Sequence, residues 1–349
     1  MSFSHPKFGK LPAGERLRKI RQSPHYKKGA FQNLILKPML TEGVGFFEVG
    51  KEYFFDKKID ITPSKPLPSL KTDLLRLPIN QDILVWFGHS SYFIQLDGKR
   101  ILVDPVFCGH ASPFSFMVKA FEGTDVYTAD DMPEIDYLFI SHDHWDHLDY
   151  ETLKKLKPKI KKVVCGLGTG GHLERWGYDS AIIYEKDWHE SLVLDEGFML
   201  HITPASHSAG RGVTMNKTLW VSFVLKSPTM TLFLGGDSGY CTHFKAIGEQ
   251  FGPFDLIILE NGQYDRKWIH NHLMPDEFLK VAYELKAKRI LPVHSCKFAL
   301  ANHAWYEPLA TLMKNNKIAN MPIITPLIGQ QVNLKDPHQT FSNWWEAGI

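Results

Sequence analysis

The stretch that most constrains this chain is Ile140 to Tyr150, ISHDHWDHLDY. It offers His142, His144, Asp146 and His147 within six positions. Neutral imidazole nitrogen and carboxylate oxygen are the donors that borderline divalent cations such as zinc prefer. The apolar run just before it, Ile135 to Ile140 (IDYLFI), predicts a buried strand. The four side chains therefore leave a strand end on a loop, where α/β proteins place function. Histidine is only about one residue in twenty here, so chance clustering of this kind is expected in well under about one chain in a hundred.

A second half of the site must come from elsewhere, and strand ends supply it. Phe198 to Thr203 runs into Pro204-Ala205-Ser206-His207. A hairpin of Leu219 to Leu225 and Met230 to Leu234 ends in Gly235-Gly236-Asp237. A strand from Arg289 to Val293 ends at His294. Earlier, a meander starts at Ile83 and turns at Asp97-Gly98, a strong hairpin signal. It carries His89 in WFGHSS and Asp104 at its last strand end. Strand, turn, strand, Asp occurs twice, which predicts two similar halves, each contributing a sheet. Helices are expected over Tyr150 to Lys157, His243 to Gln250, Asp276 to Leu285 after Pro275, and beyond Tyr306. Gly166 to Gly171 lacks the lysine and spacing of a phosphate loop.

At 349 residues the chain has room for one large domain or two smaller ones. The reading is a basic N-terminal extension, 1–82, wrapping a hydrolase domain, 83–349. Net charge is +2, so nothing global points to nucleic acid. Cys108, Cys165, Cys241 and Cys296 are scattered and suit neither a disulfide framework nor a thiolate zinc site. No apolar run is long enough to span a membrane, and no secretory signal is visible, so a cytoplasmic location is expected. Met1 to Pro38 carries Lys7, Lys10, Arg16, Arg18, Lys19, Arg21, Lys27, Lys28 and Lys37 against one acid, Glu15. This arm either wraps the domain or gives peripheral contact with anionic lipid, worth about 1 kcal/mol per basic residue. The long loop from Cys108 to Pro133 has an apolar centre, Pro113 to Phe121, read as core packing or as a lid over the substrate entrance.

These motifs together resemble the metallo-β-lactamase fold hydrolases. WFGHSS with LVDPVF, SHDHWDHLDY, GGDSGYCTHFKAIGEQFGPFDL, HLMPDE and VHSCKFALANHAWYEP are similar to the branch of N-acyl-phosphatidylethanolamine-hydrolysing phospholipase D and its bacterial relatives. The resemblance covers roughly Ile83 to Pro308. It implies an α/β fold, the αββα four-layer sandwich, with a binuclear zinc site at one edge. By the same resemblance one zinc takes His142, His144 and His207, the other takes Asp146, His147 and His294, and Asp237 bridges them. Asp104 would orient a ligand imidazole. His272 matches a histidine near the reacting group. The chain departs from the phospholipase at Ser208-Ala209-Gly210 and Ser295-Cys296-Lys297, beside metal ligands, where the substrate is chosen.

The expected chemistry is hydrolysis of a phosphodiester, phospholipid-like in kind, by metal-activated hydroxide. Metal lowers the pKa of water from about 15.7 to about 7. Asp146 would orient the nucleophile, and His272 is either a general acid or a surface histidine. Manganese or iron also suits a His/Asp site. Two alternatives stay open: a lactonase or other small-ester metallohydrolase, and a metal-binding scaffold without turnover. A long apolar channel over the metals would favour a lipid, and a polar pocket near Lys297 and Arg211 a compact anion.

Overall fold

The computed structural model describes residues 5–38, 40–45, 47–48, 50–51 and 59–348. Two sheets face each other. The first joins β3 (Ile83–Trp86), β4 (Tyr92–Leu96), β5 (Lys99–Val103), β6 (Ile135–Ile140), β7 (Ile160–Gly166) and β8 (Ile183–Lys186), with β15 (Gln331–Asn333) returning to the β3 edge. The second joins β9 (Ser191–Asp195), β10 (Phe198–Thr203), β11 (Ser222–Lys226), β12 (Thr231–Leu234), β13 (Leu256–Glu260) and β14 (Ile290–Val293). A short ribbon of β1 (Tyr26–Lys27) and β2 (Ala30–Phe31) lies in the arm.

Both sheets begin as antiparallel meanders and finish as parallel strands: β3, β4 and β5 antiparallel, then β5 to β8 parallel; β9 to β12 antiparallel, then β12 to β14 parallel. The repeated strand–turn–strand–Asp pattern thus corresponds to a repeated topology. Asp104 follows β5, and Asp237 follows β12 after two glycines.

The strands are apolar on both faces because both faces are covered. Alternate residues divide cleanly. Leu84, Trp86, Ile94, Ile101, Tyr137 and Phe139 meet Leu200, Phe223, Leu232 and Ile258 between the sheets. Their neighbours Val85, Phe93, Leu102, Leu138 and Ile140 face outward to Leu153, Leu156 and Leu173 of the helices Tyr150–Leu156 and Gly170–Arg175. On the other side Val224, Phe233, Ile257 and Ile290 meet the helices His243–Phe251, Phe278–Glu284 and Glu307–Ala319. The order of layers is helix, sheet, sheet, helix.

Some boundaries differ from the sequence reading. The helix expected from Asp276 begins at Phe278, because residues 274–277 close a turn in which Glu277 N–H donates to the Met274 carbonyl. Residues Leu219 to Val221 leave the strand to meet other loops: Leu219 N–H donates to Leu167 O and Val221 N–H to Ser141 O. The arm contains a helix, Gly14–Gln22, with Glu15 in its first turn and Lys19 and Arg21 in its last, which complements the helix dipole. Ile20 of that helix and Phe31 of β2 are buried in the inter-sheet core.

Candidate metal centre

The loops leaving β3, β5, β6, β10, β12, β13 and β14 meet at one edge of the sandwich. His142, His144 and His207 form one group whose ligand atoms lie within 4.8 Å of one another. His142 Nε2 is 2.9 Å from His144 Nδ1, and His207 Nε2 is 3.3 Å from the same atom. Tetrahedral zinc with bonds of about 2.0–2.1 Å sets its ligand atoms about 3.3 Å apart. Asp146, His147 and His294 form a second group, which also takes in His89. Asp237 stands between the two. Its Oδ2 is 3.6 Å from His207 Nε2, 3.9 Å from His142 Nε2 and 3.1 Å from His147 Nε2, while its Oδ1 is 3.1 Å from His294 Nδ1.

Proton bookkeeping tests whether these residues suit a cation. His147 Nδ1 is 2.8 Å from Asp104 Oδ2 and donates to it, so in the neutral ring Nε2 carries a lone pair. That lone pair faces Asp237 Oδ2 and, at 3.4 Å, Asp146 Oδ2. His207 Nδ1 likewise donates to the Asn271 carbonyl at 2.9 Å, turning the Nε2 lone pair toward His144 and Asp237. Lone pairs aimed at carboxylates repel unless a proton or a metal ion lies between them. His147 Nε2, His294 Nε2 and Asp237 Oδ1 are buried without hydrogen-bond partners. The donor set fits a divalent metal.

Protonation follows the same geometry. Burial, with neighbouring imidazoles, holds His142, His207 and His294 well below the usual histidine range, the neutral state a ligand needs. Burial also opposes charge on His147, but Asp237 and Asp146 outweigh it and raise the ring well above that range. Burial pushes Asp237 up to about 6, against the pull of His147. A proton on His147 here does the charge balancing that a cation would do.

Backbone geometry marks the same rim. His89, Asp104, His294 and Cys296 all have φ between +40° and +66°, a region that costs a side-chain-bearing residue energy. The first and third are tied together, since His294 N–H donates to His89 O and His89 N–H to Ser295 O. His89 Nε2 lies 2.8 Å from Asp146 Oδ2. His272 is buried, its ring centroid 5.1 Å from that of His207 and 5.0 Å from that of His294. It is part of the cluster, not a surface histidine.

Residues missed by sequence reasoning support the site. Glu260 ends β13 and meets His272 Nδ1 at 2.6 Å. Asp143, inside the metal motif, meets His172 Nε2 at 3.0 Å and is held down to about 2: burial opposes its charge, but the His172 contact and the Arg211 charge outweigh it. Glu260 closes a strand as Asp104 and Asp237 follow theirs, a signal that could have found it, whereas nothing local ties Asp143 to His172 because that pair forms across the fold. Lys297 and Arg211, beside which a polar pocket would favour a compact anion, are not free to bind one. Both cations are buried and engaged, Lys297 with Phe87 O, Val106 O and Asp125, Arg211 with the carbonyls of Lys7, Asp143 and Leu148.

The loop from Pro113 to Phe121 does two things. Val118 and Ala120 pack against Val106, Ala111 and Phe298. Phe114 instead lines a groove of about 320 Å³ with Phe8, Trp145, Gly210 and Val213. Trp145 belongs to the metal motif, and Phe8 meets its ring edge-on at 5.5 Å.

A family model described as a beta-lactamase superfamily domain matches residues 99–295, more than half of the chain. The chain belongs to the metallo-β-lactamase superfamily. Among its superfamily relatives is an uncharacterized protein of Mycobacterium tuberculosis, 32% identical over 328 residues, 93% of this chain and 88% of that one. N-acyl-phosphatidylethanolamine-hydrolyzing phospholipase D 1 of Caenorhabditis elegans is 32% identical over 233 residues, 63% of this chain and 65% of that one. In structure, a possible metal-dependent hydrolase from Veillonella parvula superposes with a TM-score of 0.57 at 16% identity, over 72% of this chain and 99% of that one. This last likeness concerns the fold.

Proposed function

We propose that this superfamily member is a metal-dependent hydrolase that cleaves a phosphodiester, phospholipid-like in kind, at a two-zinc centre. The observation that carries the reading is the convergence of seven buried or half-buried donors with lone pairs turned inward: His142, His144 and His207 for one ion, Asp146, His147 and His294 for the other, and Asp237 shared. A zinc pair there would supply a Lewis acid and lower the pKa of water from about 15.7 to about 7. Manganese and iron suit the same donors.

The chain's own residues do the rest. Asp104 and the Asn271 carbonyl fix the tautomers of His147 and His207. Asp146 orients the attacking hydroxide while His89 holds its other flank. His272, when it carries a proton on each ring nitrogen, gives one to the departing oxygen and returns to the neutral ring. For substrate class, the groove of Phe8, Phe114, Trp145 and Val213 supports an acyl chain, with Phe116 and Val213 72% and 85% exposed beside it. The similarity to the nematode phospholipase D supports the phosphodiester.

Among the described residues no helix is long and apolar enough to cross a membrane. Peripheral contact through the arm is part of the proposal: Arg18, Lys19, Arg21, Lys27 and Lys28 remain exposed while Arg16 is tied to Glu174 and Glu185.

The test is a panel of N-acyl-phosphatidylethanolamine vesicles, bis(p-nitrophenyl) phosphate and a small lactone. Turnover of the first two is expected, abolished in His142→Ala and Asp237→Asn. Turnover of the lactone alone would replace the reading with a lactonase. Full turnover by folded, metal-free protein would remove metal catalysis altogether. Replacing Arg18, Arg21, Lys27 and Lys28 by Gln should reduce sedimentation with anionic vesicles, and unchanged sedimentation would remove the membrane role.

A further inference from the structure

Glu260 closes the apolar strand β13, LIILE, and its side chain is completely buried. A buried carboxylate is tolerated only where its lone pairs are used. Here they are. Oε1 accepts the Leu273 N–H at 2.8 Å and the Ser238 N–H at 3.2 Å, and Oε2 lies 2.6 Å from His272 Nδ1. Leu273 follows His272, and Ser238 follows Asp237. One carboxylate thus ties the His272 ring to the backbone on either side of the site.

We propose that Glu260 is a positioning residue that fixes the tautomer and ring orientation of His272. It deepens the hydrolase reading and rests on it for the role of His272. The two backbone N–H groups on Oε1 mark Glu260 as an acceptor, so the shared proton belongs to His272 Nδ1. With Nδ1–H held by Glu260, Nε2 is free to take up a second proton and hand it to the departing oxygen. The ring is held between His207 and His294, stacked on the latter with 23° between planes. Neighbouring rings restrict its tilt but do not distinguish its two edges. The Glu260 contact does: turning the ring over would replace Nδ1 by a carbon and leave a buried carboxylate oxygen unpaired.

Glu260→Gln tests this with little change of shape. The amide oxygen still accepts from Leu273 and Ser238. The amide N–H₂ now donates to His272 Nδ1, so the single ring proton moves to Nε2 and the doubly protonated ring that acts as the acid cannot form. In zinc-loaded, full-length protein, ¹⁵N histidine spectra should show Nδ1–H for His272 in the wild type and Nε2–H in Glu260→Gln. With N-acyl-phosphatidylethanolamine, whose alkoxide leaving group needs a proton, kcat should fall about 10²-fold, the lower share of a general acid, with KM nearly unchanged, while bis(p-nitrophenyl) phosphate, whose phenolate leaves unprotonated, should be turned over at nearly the wild-type rate. Zinc content should stay the same, and the double variant with His272→Ala should be no slower than His272→Ala alone. An unchanged His272 tautomer in Glu260→Gln would overturn the proposal. So would loss of zinc, or losses that multiply in the double variant. If no phosphodiester is turned over, the phosphodiesterase reading falls, and the spectra alone judge Glu260.

Discussion

Arg211 joins the N-terminal arm to the metal motif, and replacing it with Met measures that link. The guanidinium is 4% exposed. Nε and one terminal nitrogen donate to the Lys7 carbonyl at 3.1 and 3.0 Å. The other terminal nitrogen donates to Asp143 O at 3.0 Å and Leu148 O at 2.6 Å. The Trp145 ring lies 3.9 Å from the guanidinium carbon. Met conserves most of the stem and its packing but leaves three carbonyls, two of them in buried bonds, without these donors. Each orphaned group costs about 1–3 kcal/mol, and losing the cation–π contact adds about 1 kcal/mol. Relief from burying a charge, together with water entry, offsets part, so a net loss of about 3–5 kcal/mol is expected. At about 2 °C per kcal/mol for a chain of this size, Tm should drop by roughly 6–10 °C. Because Asp143 and Leu148 flank the ligands, zinc affinity should weaken as well. Calorimetry and a zinc competition titration read the two effects. A Tm within 2 °C of wild type with unchanged affinity would refute the idea that this arginine supports the metal loop.

Asp104→Asn should weaken zinc binding about 10–100-fold, because the amide cannot hold His147 in its present tautomer as the carboxylate does. A chromophoric chelator reads this, and an unchanged affinity counts against the role given to Asp104. Chelating the metal should lower Tm by the lost linkage energy, about 2.7 kcal/mol when free metal stands at 100 times its Kd. A Tm that ignores chelator would mean the folded state does not depend on the ion. His243 gives a pH dependence. Burial, with Lys37, lowers it to about 3 from an unfolded value near 6.5, so the unfolded chain binds a proton that the native chain refuses. Stability from this group is present above pH 6.5 and is lost as pH falls toward 3. Between pH 6 and pH 5 the wild type should lose roughly 1 kcal/mol more than His243→Gln in urea unfolding. Parallel pH slopes would show that His243 is not buried in its neutral form.

Continuous apolar runs expose the strands, because each strand has two covered faces, and the family resemblance implied that they stack as a sandwich. The returning strand β15, QVN, escapes notice because only Val332 is buried. The helix Gly14–Gln22 hides for a related reason: its composition is basic, and Ile20 alone is fully buried. The residues singled out at strand ends are brought to one edge because parallel strands place their carboxyl ends on the same side. His272 was ambiguous in sequence, since a histidine before a helix reads alike whether it faces solvent or a buried carboxylate.

The sequence by itself determined the two-sheet pattern, the repeated strand–turn–strand–Asp unit and a donor set of histidines and aspartates at strand ends. These are local properties, written in periodicity and in side-chain type. Only the tertiary structure decided the pairings: Glu260 with His272, His89 with Asp146, His172 with Asp143, and Arg211 with the carbonyls of the arm. Arg211 and Lys297, which look free to bind an anion, are spent inside the protein. The physical reason is that a charged side chain's role depends on which lone pairs and N–H groups surround it. Those partners are up to 210 positions away along the chain and become neighbours only when the sheets close on each other.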